Sequence, residues 1–422
     1  ALLPAFIAVS NIESREPQRV REGNERVVRA RLADAAFFWE QDRRQPLAAR
    51  LPGLDAVTFQ AKLGSLGDKT RRVRALAADI AAGIGGSREH AQRVAELAKC
   101  DLLTAMVGEF PELQGIMGAY YAQADGEPPE VAAAIREQYL PRSAGDALPG
   151  TRAGLTLALA DKLDTLAGIF AIGEKPTGTK DPFGLRRAAL GVQRILIEKE
   201  LDVDLTRYID QALAAVRADL ERLSAADPSQ PSAAVPAHAH ETAGEIYDFL
   251  MERLRAYYLE GSRAAPVPGR AAVSTEMFDA VLATRPASPL DFDARLKALS
   301  TFLELPEAAS LTAANKRIAN ILRKANATAA AEVDVRALRE EAEVRLFDSM
   351  RALRDTVGGA MAQREYTGAL GRLAQLRPVV DAFFEQVLVM DEDPRLRANR
   401  LTLLAQLQGL FAGVADLSRL PG

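Results

Sequence analysis

The chain has 422 residues, 48% of them hydrophobic and 26% charged, the balance of an ordinary globular protein large enough for two or three domains. A net charge of −4 gives no global positive field to advertise nucleic-acid binding; no DNA partner is expected, and any RNA contact must come from local patches. No apolar run approaches the roughly 18–20 residues of a membrane span and no secretory signal opens the chain; one cysteine, Cys100, fits a reducing cytoplasm, and with histidine only at His90, His238 and His240 it leaves too few donors for a Cys/His zinc site.

The opening "ALLPAFIAVSN" reads as a strand over residues 2–12 that is already under way, which predicts a fragment whose N-terminal part was removed. "GNERVVRARLADAAFFWEQD" is then a predicted helix. Val27, Val28, Leu32, Ala35, Ala36 and Trp39 recur at a spacing of three to four, and Asn24 stands as its N-cap. From about residue 68 to 260 the periodicity is helical, broken by Gly and Pro at 83–86, 126–129, 141–150 and 173–182. Residues 224–245, rich in Ala, Pro and Ser, read as a surface loop between two helices. The stretch 261–270 reads as a domain boundary, and residues 274–420 return to helix with short connections at 286–291, 304–311 and 391–396. The expectation is a mainly α protein.

Several stretches carry chemical hints. In "GEKPTGTKDPFGLRRAALGVQRI" (173–195), Gly173, Gly178 and Lys180 almost spell a phosphate-binding P-loop. Thr179 separates the Gly from the Lys, however, and Asp181 stands where a Mg²⁺-binding hydroxyl belongs and would repel a triphosphate. Asp181 as N-cap and Pro182 at the first helical position explain the stretch better. The helix then turns Leu185, Ala189, Val192 and Leu196 inward and stacks Arg187 and Arg194 on nearly the opposite side, with Arg186 on a flank.

Cys100-Asp101 and the later Asp161 resemble the metal-binding His-Asp pair and final Asp of HD-type phosphohydrolases, but no imidazole accompanies them. Asp161 and Asp164 beside Lys162 are read instead as a solvated face, so a metal-dependent phosphohydrolase is only the alternative function. In "ANKRIANILRKA" (314–325), Lys316, Arg317, Asn320, Arg323 and Lys324 share one helical face, with Ile318, Ile321 and Leu322 opposite. Four cations and an amide on one surface suit a phosphate backbone. "DPRLRANRLTLL" (393–404) adds Arg395, Arg397, Asn399 and Arg400. Phe383 and Phe384 read as part of a buried helix.

Together "LLPAFIAVSNIES", "GNERVVRARLADAAFFWEQD", "MVGEFPELQGIMGAYYA", "YLPRSAGDALP", "LADKLDTLAGIFAIGEKPTGTKDPFGLRRAALGVQRI", "ANKRIANILRKA" and "LRPVVDAFFEQVLVMDEDPRLRANRLTLL" resemble, in order and over almost the whole chain, the C-terminal portion of the beta subunit of bacterial heterotetrameric glycyl-tRNA synthetase. The resemblance implies a small N-terminal α/β remnant of a preceding body domain (1–67), a degenerate HD-like helical domain (68–265) and a helical anticodon-binding domain (266–422). It implies a cytoplasmic subunit that positions tRNA for glycine. The partner is a catalytic alpha subunit, in a heterotetramer of two alpha and two beta chains, and ATP and Mg belong to that alpha subunit, with no cofactor and no metal in this chain. Lys316, Arg317, Asn320, Arg323, Lys324, Arg397, Asn399 and Arg400 become candidates for the anticodon arm. Lys180, Arg186, Arg187 and Arg194 become candidates for a distal part of the tRNA or for the alpha subunit. A purely structural scaffold for subunit assembly is the remaining alternative.

Overall fold

The computed structural model describes residues 3–226, 239–264, 273–326 and 332–421. The predicted mainly helical character holds among them. The named strands are Thr58–Gln60 (β1) and Gly64–Ser65 (β2), a small antiparallel pair with Thr58 opposite Ser65. Among the described residues no helix is long and apolar enough to cross a membrane.

The helices, in order, are α1 (Pro17–Asp42), α2 (Leu66–Gly83), α3 (Arg88–Leu97), α4 (Ala105–Glu109), α5 (Ile116–Ala124), α6 (Pro129–Glu137), α7 (Arg152–Ala171), α8 (Leu185–Glu198), α9 (Leu205–Ala226) and α10 (Ala239–Ala264). They continue as α11 (Thr275–Leu282), α12 (Pro289–Leu303), α13 (Ala308–Lys324), α14 (Glu341–Ala362), α15 (Tyr366–Ala374), α16 (Arg377–Gln386) and α17 (Pro394–Ala412). The chain divides into two compact units, one of Ala1–Asp164 with Ala214–Val235 and one of Thr165–Leu213 with Pro236–Gly422. The sequence-based limits at 67 and 265 follow other lines. Most of the predicted loop at 224–245, and most of the boundary at 261–270, lies outside the described residues.

In the first unit, α2 begins with a capping box: the Ser65 hydroxyl accepts the Asp68 N–H and the Asp68 carboxylate accepts the Ser65 N–H. Its buried side, Val73, Leu76, Ala77 and Ile80, packs on Ala91, Val94 and Leu97 of α3. Helix α1 ends on a fixed charge. The Asp42 carboxylate accepts the N–H groups of Ala105 (2.9 Å) and Met106 (3.0 Å) at the start of α4, and the Tyr121 hydroxyl (2.9 Å).

Two expectations for the N-terminal stretch fail. Residues 3–15 form no strand, because no backbone partner meets them among the described residues. Helix α1 starts at Pro17, where the missing N–H is no loss, seven residues before Asn24. Its apolar stripe is not core: Val27 and Leu32 are exposed, while Arg31 pairs with Glu109 and Trp39 stacks on Tyr121 nearer the C-terminal end.

In the second unit, α12 packs on α15, α14 on α15 and α16, and α13 on α16, α17 and the turn Leu417–Arg419. Phe278, Phe292, Phe302, Phe383 and Phe411 fill its core.

Candidate nucleic-acid interface

Helix α13 sorts its residues cleanly. Leu311, Ala314, Asn315, Ile318 and Leu322 are buried, while Lys316, Arg317, Asn320, Arg323 and Lys324 are exposed on the opposite face. None of these four cations takes part in a salt bridge among the described residues. Arg323 donates to the Asn320 side-chain oxygen (2.7 Å), and the Arg317 guanidinium lies 4.3 Å from the ring centroid of Phe384 on α16. Ile321, expected toward the core, is half-exposed. With Ala313, Lys316, Arg317, Asn320 and Lys324 it lines a shallow concavity of about 440 Å³. Phe383 is core as expected, whereas Phe384 is half-buried and carries Arg317. Arg323 and Lys324 also sit in the last turn, where the helix dipole favours cations.

The candidates on α17 separate. Arg397 is half-buried and donates to the Asp391 carbonyl (3.0 Å). Asn399 is buried: its side-chain oxygen accepts the Asp334 N–H (2.8 Å) and its amide donates to the Asp334 carbonyl (3.0 Å), holding that segment as a strand neighbour would. Arg400 is 3% exposed and donates to Glu343 (2.5 Å), to Asp391 (2.7 Å) and to the Leu388 carbonyl (2.8 Å). Burial works against the Glu343 carboxylate, but the Arg400 guanidinium and the N–H groups of Glu340 and Arg339 outweigh it and hold its pKa below the ordinary value. The signal for this was in the sequence. Leu396 and Leu403 flank Asn399 and Arg400 at helical spacing, so the inward stripe runs through them.

The near P-loop is a turn. Thr177 and Lys180 exchange backbone hydrogen bonds across Gly178, and the Lys180 side chain is exposed. Asp181 does cap α8, but from outside it. The helix starts at Leu185, not Pro182, with Gly184 in the left-handed region at φ 66°. The Asp181 carboxylate accepts the N–H groups of Leu185 (2.8 Å) and Arg186 (3.0 Å). The chain's own anion thus occupies the place a phosphate would take at this helix end. Arg187 is exposed and Arg186, half-buried, donates to the Gly178 carbonyl (2.6 Å). Arg194 corrects the expected solvated Arg187–Arg194 face, being buried and paired with Glu198 at 2.7 Å.

The HD-like positions are internal structure. Cys100 is fully buried, and burial together with the Asp101 carboxylate pushes its thiol up to about 12. Asp101 accepts the N–H groups of Gly115 (2.5 Å) and Gly118 (3.2 Å) through one oxygen, while its other oxygen has no hydrogen-bond partner among the described residues. Burial raises its pKa. Gly115, at φ 79°, places its N–H for this contact at the start of α5.

The expected solvated face of Asp161, Lys162 and Asp164 is wrong. Asp164 and Lys162 are buried, and Asp161 is largely covered. The Lys69 ammonium lies 3.0 Å from Asp164 and 3.5 Å from Asp161, Lys99 lies 3.6 Å from Asp161, and Arg72 grips Asp164 and Asp219, each at 2.7 Å. Lys162 donates to the Leu140 carbonyl (2.8 Å), and burial brings its pKa down to about 8. These residues do not fit a divalent metal, since lysine ammonium groups already hold Asp161, and backbone N–H groups hold Asp101. Among the described residues no group of three or more His, Cys, Asp or Glu is placed to hold one. Lys69 and Arg72 on α2, and Lys99 just after α3, were missed in the sequence, because they meet Asp161 and Asp164 on α7 only when the chain folds.

Residues 1–269 match the family described as "Glycyl-tRNA synthetase beta subunit" and residues 311–417 match the "DALR anticodon binding domain". The chain is similar to proteins named glycine–tRNA ligase beta subunit: 49% identical to that of Chromohalobacter salexigens over 419 residues, 49% to that of Hahella chejuensis over 420, and 48% to that of Ectopseudomonas mendocina over 417. Each match takes in 99% of this chain and 57% of the relative, so the chain spans little more than half the length of these proteins. The exposed cationic face of α13 falls inside the anticodon-binding match, and with the match over 1–269 the chain belongs to the glycyl-tRNA synthetase beta subunit family.

Proposed function

We propose that this chain is the tRNA-binding part of a glycine–tRNA ligase beta subunit, which positions tRNA for glycine so that a catalytic alpha subunit can glycylate it. The observation that carries this reading is the α13 face: Lys316, Arg317, Arg323 and Lys324, none in a salt bridge among the described residues, with Asn320 between them, inside the anticodon-binding match. Cations on a convex helix neutralise phosphates, while Asn320 and the Arg317–Phe384 stack offer a hydrogen-bonding edge and a flat surface to an unpaired base. Arg397 borders the C-terminal end of the same domain. Asn399 and Arg400 act through it, by fixing the segments at Asp334, Glu343 and Asp391.

Lys180, Arg186 and Arg187 present a smaller basic surface toward a distal part of the tRNA or the alpha subunit, and Arg194 braces α8 beneath it. In this reading ATP, Mg and glycine are bound by the alpha subunit, in a cytoplasmic assembly of two alpha and two beta chains.

The test is binding of tRNA for glycine as a function of salt. The charge reversals Arg317→Glu and Lys324→Glu should weaken binding and lower the salt slope by about 1 for each phosphate no longer neutralised. Unchanged affinity and slope in the double variant, with α13 still folded, would remove this face from the interface.

A further inference from the structure

Apart from Tyr120, the exposed large apolar side chains of the first unit lie at its start: Leu3, Phe6, Ile7, Val9 and Ile12, followed on α1 by Val20, Val27, Leu32 and Phe37. Isolated exposed apolar residues are ordinary, but a run of them is not. Residues 3–9 belong to no helix or strand, and their backbone N–H and C=O groups make no hydrogen bond to any described protein group. Ile7 and Val9 are 94% and 90% exposed, and Phe6 between Ala5 and Ile7 falls to 43%. Between this segment and α1 runs an open concavity of about 1060 Å³, lined among others by Leu3, Phe6, Val9, Val20, Val28 and Leu32. Such a segment is apolar on both faces and has an unpaired backbone, the character of an interior strand without its sheet.

We propose that residues 3–9 add as a strand to a β-sheet in the part of the beta subunit that this chain does not span, and that the exposed apolar side of α1 packs beneath that sheet. This inference rests on the family membership, not on the tRNA reading. The relatives supply the occupant: 57% of their length is matched, and the rest is joined to the matched part in one polypeptide. Covalent continuity gives such a segment a high effective concentration at this edge, which a second copy or a separate subunit lacks. Strand addition satisfies the free backbone groups, and burial of Ile7 and Val9 supplies the apolar term.

The experiment compares amide hydrogen exchange in this 422-residue chain with that in a chimera of the Chromohalobacter salexigens beta subunit in which this chain replaces the part it matches. The amides of α2 serve in both as a control for folding. The expected result is fast exchange at residues 5–9 in the chain alone and exchange slowed about 100-fold or more in the chimera. Ile7→Pro, which removes the N–H, should abolish that protection, and Ile7→Val should keep it. Fast exchange in the chimera with α2 protected would overturn the proposal. So would protection that appears in the chain alone as its concentration rises, pointing to a second copy, or only when the alpha subunit is added.

Discussion

Arg400 shows how a charged residue is committed inside a fold. Its guanidinium is nearly sealed from solvent and divides its hydrogen bonds among Glu343, Asp391 and the Leu388 carbonyl. Removing one partner of such a pair leaves the other charge buried and uncompensated, so Arg400→Ala should destabilise the protein by about 3–5 kcal/mol. Replacing both members with apolar residues, Arg400→Met with Glu343→Leu, should recover much of that loss, as urea denaturation of the single and double variants would report. Sequence alone groups Arg400 and Asn399 with surface cations, since polarity suggests solvent. Their spacing from Leu396 and Leu403 points the other way, and only the packed partners, distant in sequence at Asp334 and Glu343, decide between the two. Lys162 and Asp164 repeat the lesson, with Lys69 and Arg72 arriving from α2 to neutralise Asp164.

At the scale of elements, helices with one apolar stripe were the legible part. The face of α13 can be read directly from residues 314–325, because a helix fixes which side chains share a side without help from the rest of the chain. The start of α8 was half legible. Asp181 caps it as expected, but the loop through Pro182 and Gly184 sets the first turn at Leu185. Asp181→Ala should therefore cost about 1 kcal/mol and fray the first turn of α8, measurable as a lower thermal midpoint and faster amide exchange at Leu185 and Arg186. The N-terminal strand was not legible in the same sense. Apolar and β-branched side chains state a preference for extended backbone, but a strand needs a hydrogen-bonding neighbour and local sequence cannot supply one.

Across the whole molecule, buried carboxylates set the response to acid. Burial opposes ionisation of Asp161, Asp164 and Glu343, yet each has cations or N–H donors that hold its folded pKa below the unfolded value. The unfolded chain therefore takes up protons first as pH falls, and stability present at neutral pH is lost below about pH 4 as these groups approach their folded pKa values. Asp101, whose pKa is raised by burial, works in the opposite direction and softens the loss. Urea midpoints should thus fall between about pH 5 and pH 3, and Asp164→Asn should be less stable at about pH 7 but show a shallower decline. A steeper decline would contradict a stabilising role for the ionised carboxylate.

The sequence by itself determined the helical class, the cationic face of α13, the rejection of the near P-loop and the family, because each depends on residue type and spacing along a single element. Tertiary structure decided which polar residues are spent internally: Arg194, Asn399 and Arg400 held by buried contacts, Asp101 bound to Gly115 and Gly118, and Asp161 bound to Lys69 and Lys99. A charge's surroundings depend on chain segments that approach only on folding. Residue type alone therefore cannot say whether an arginine will meet a phosphate or a buried carboxylate.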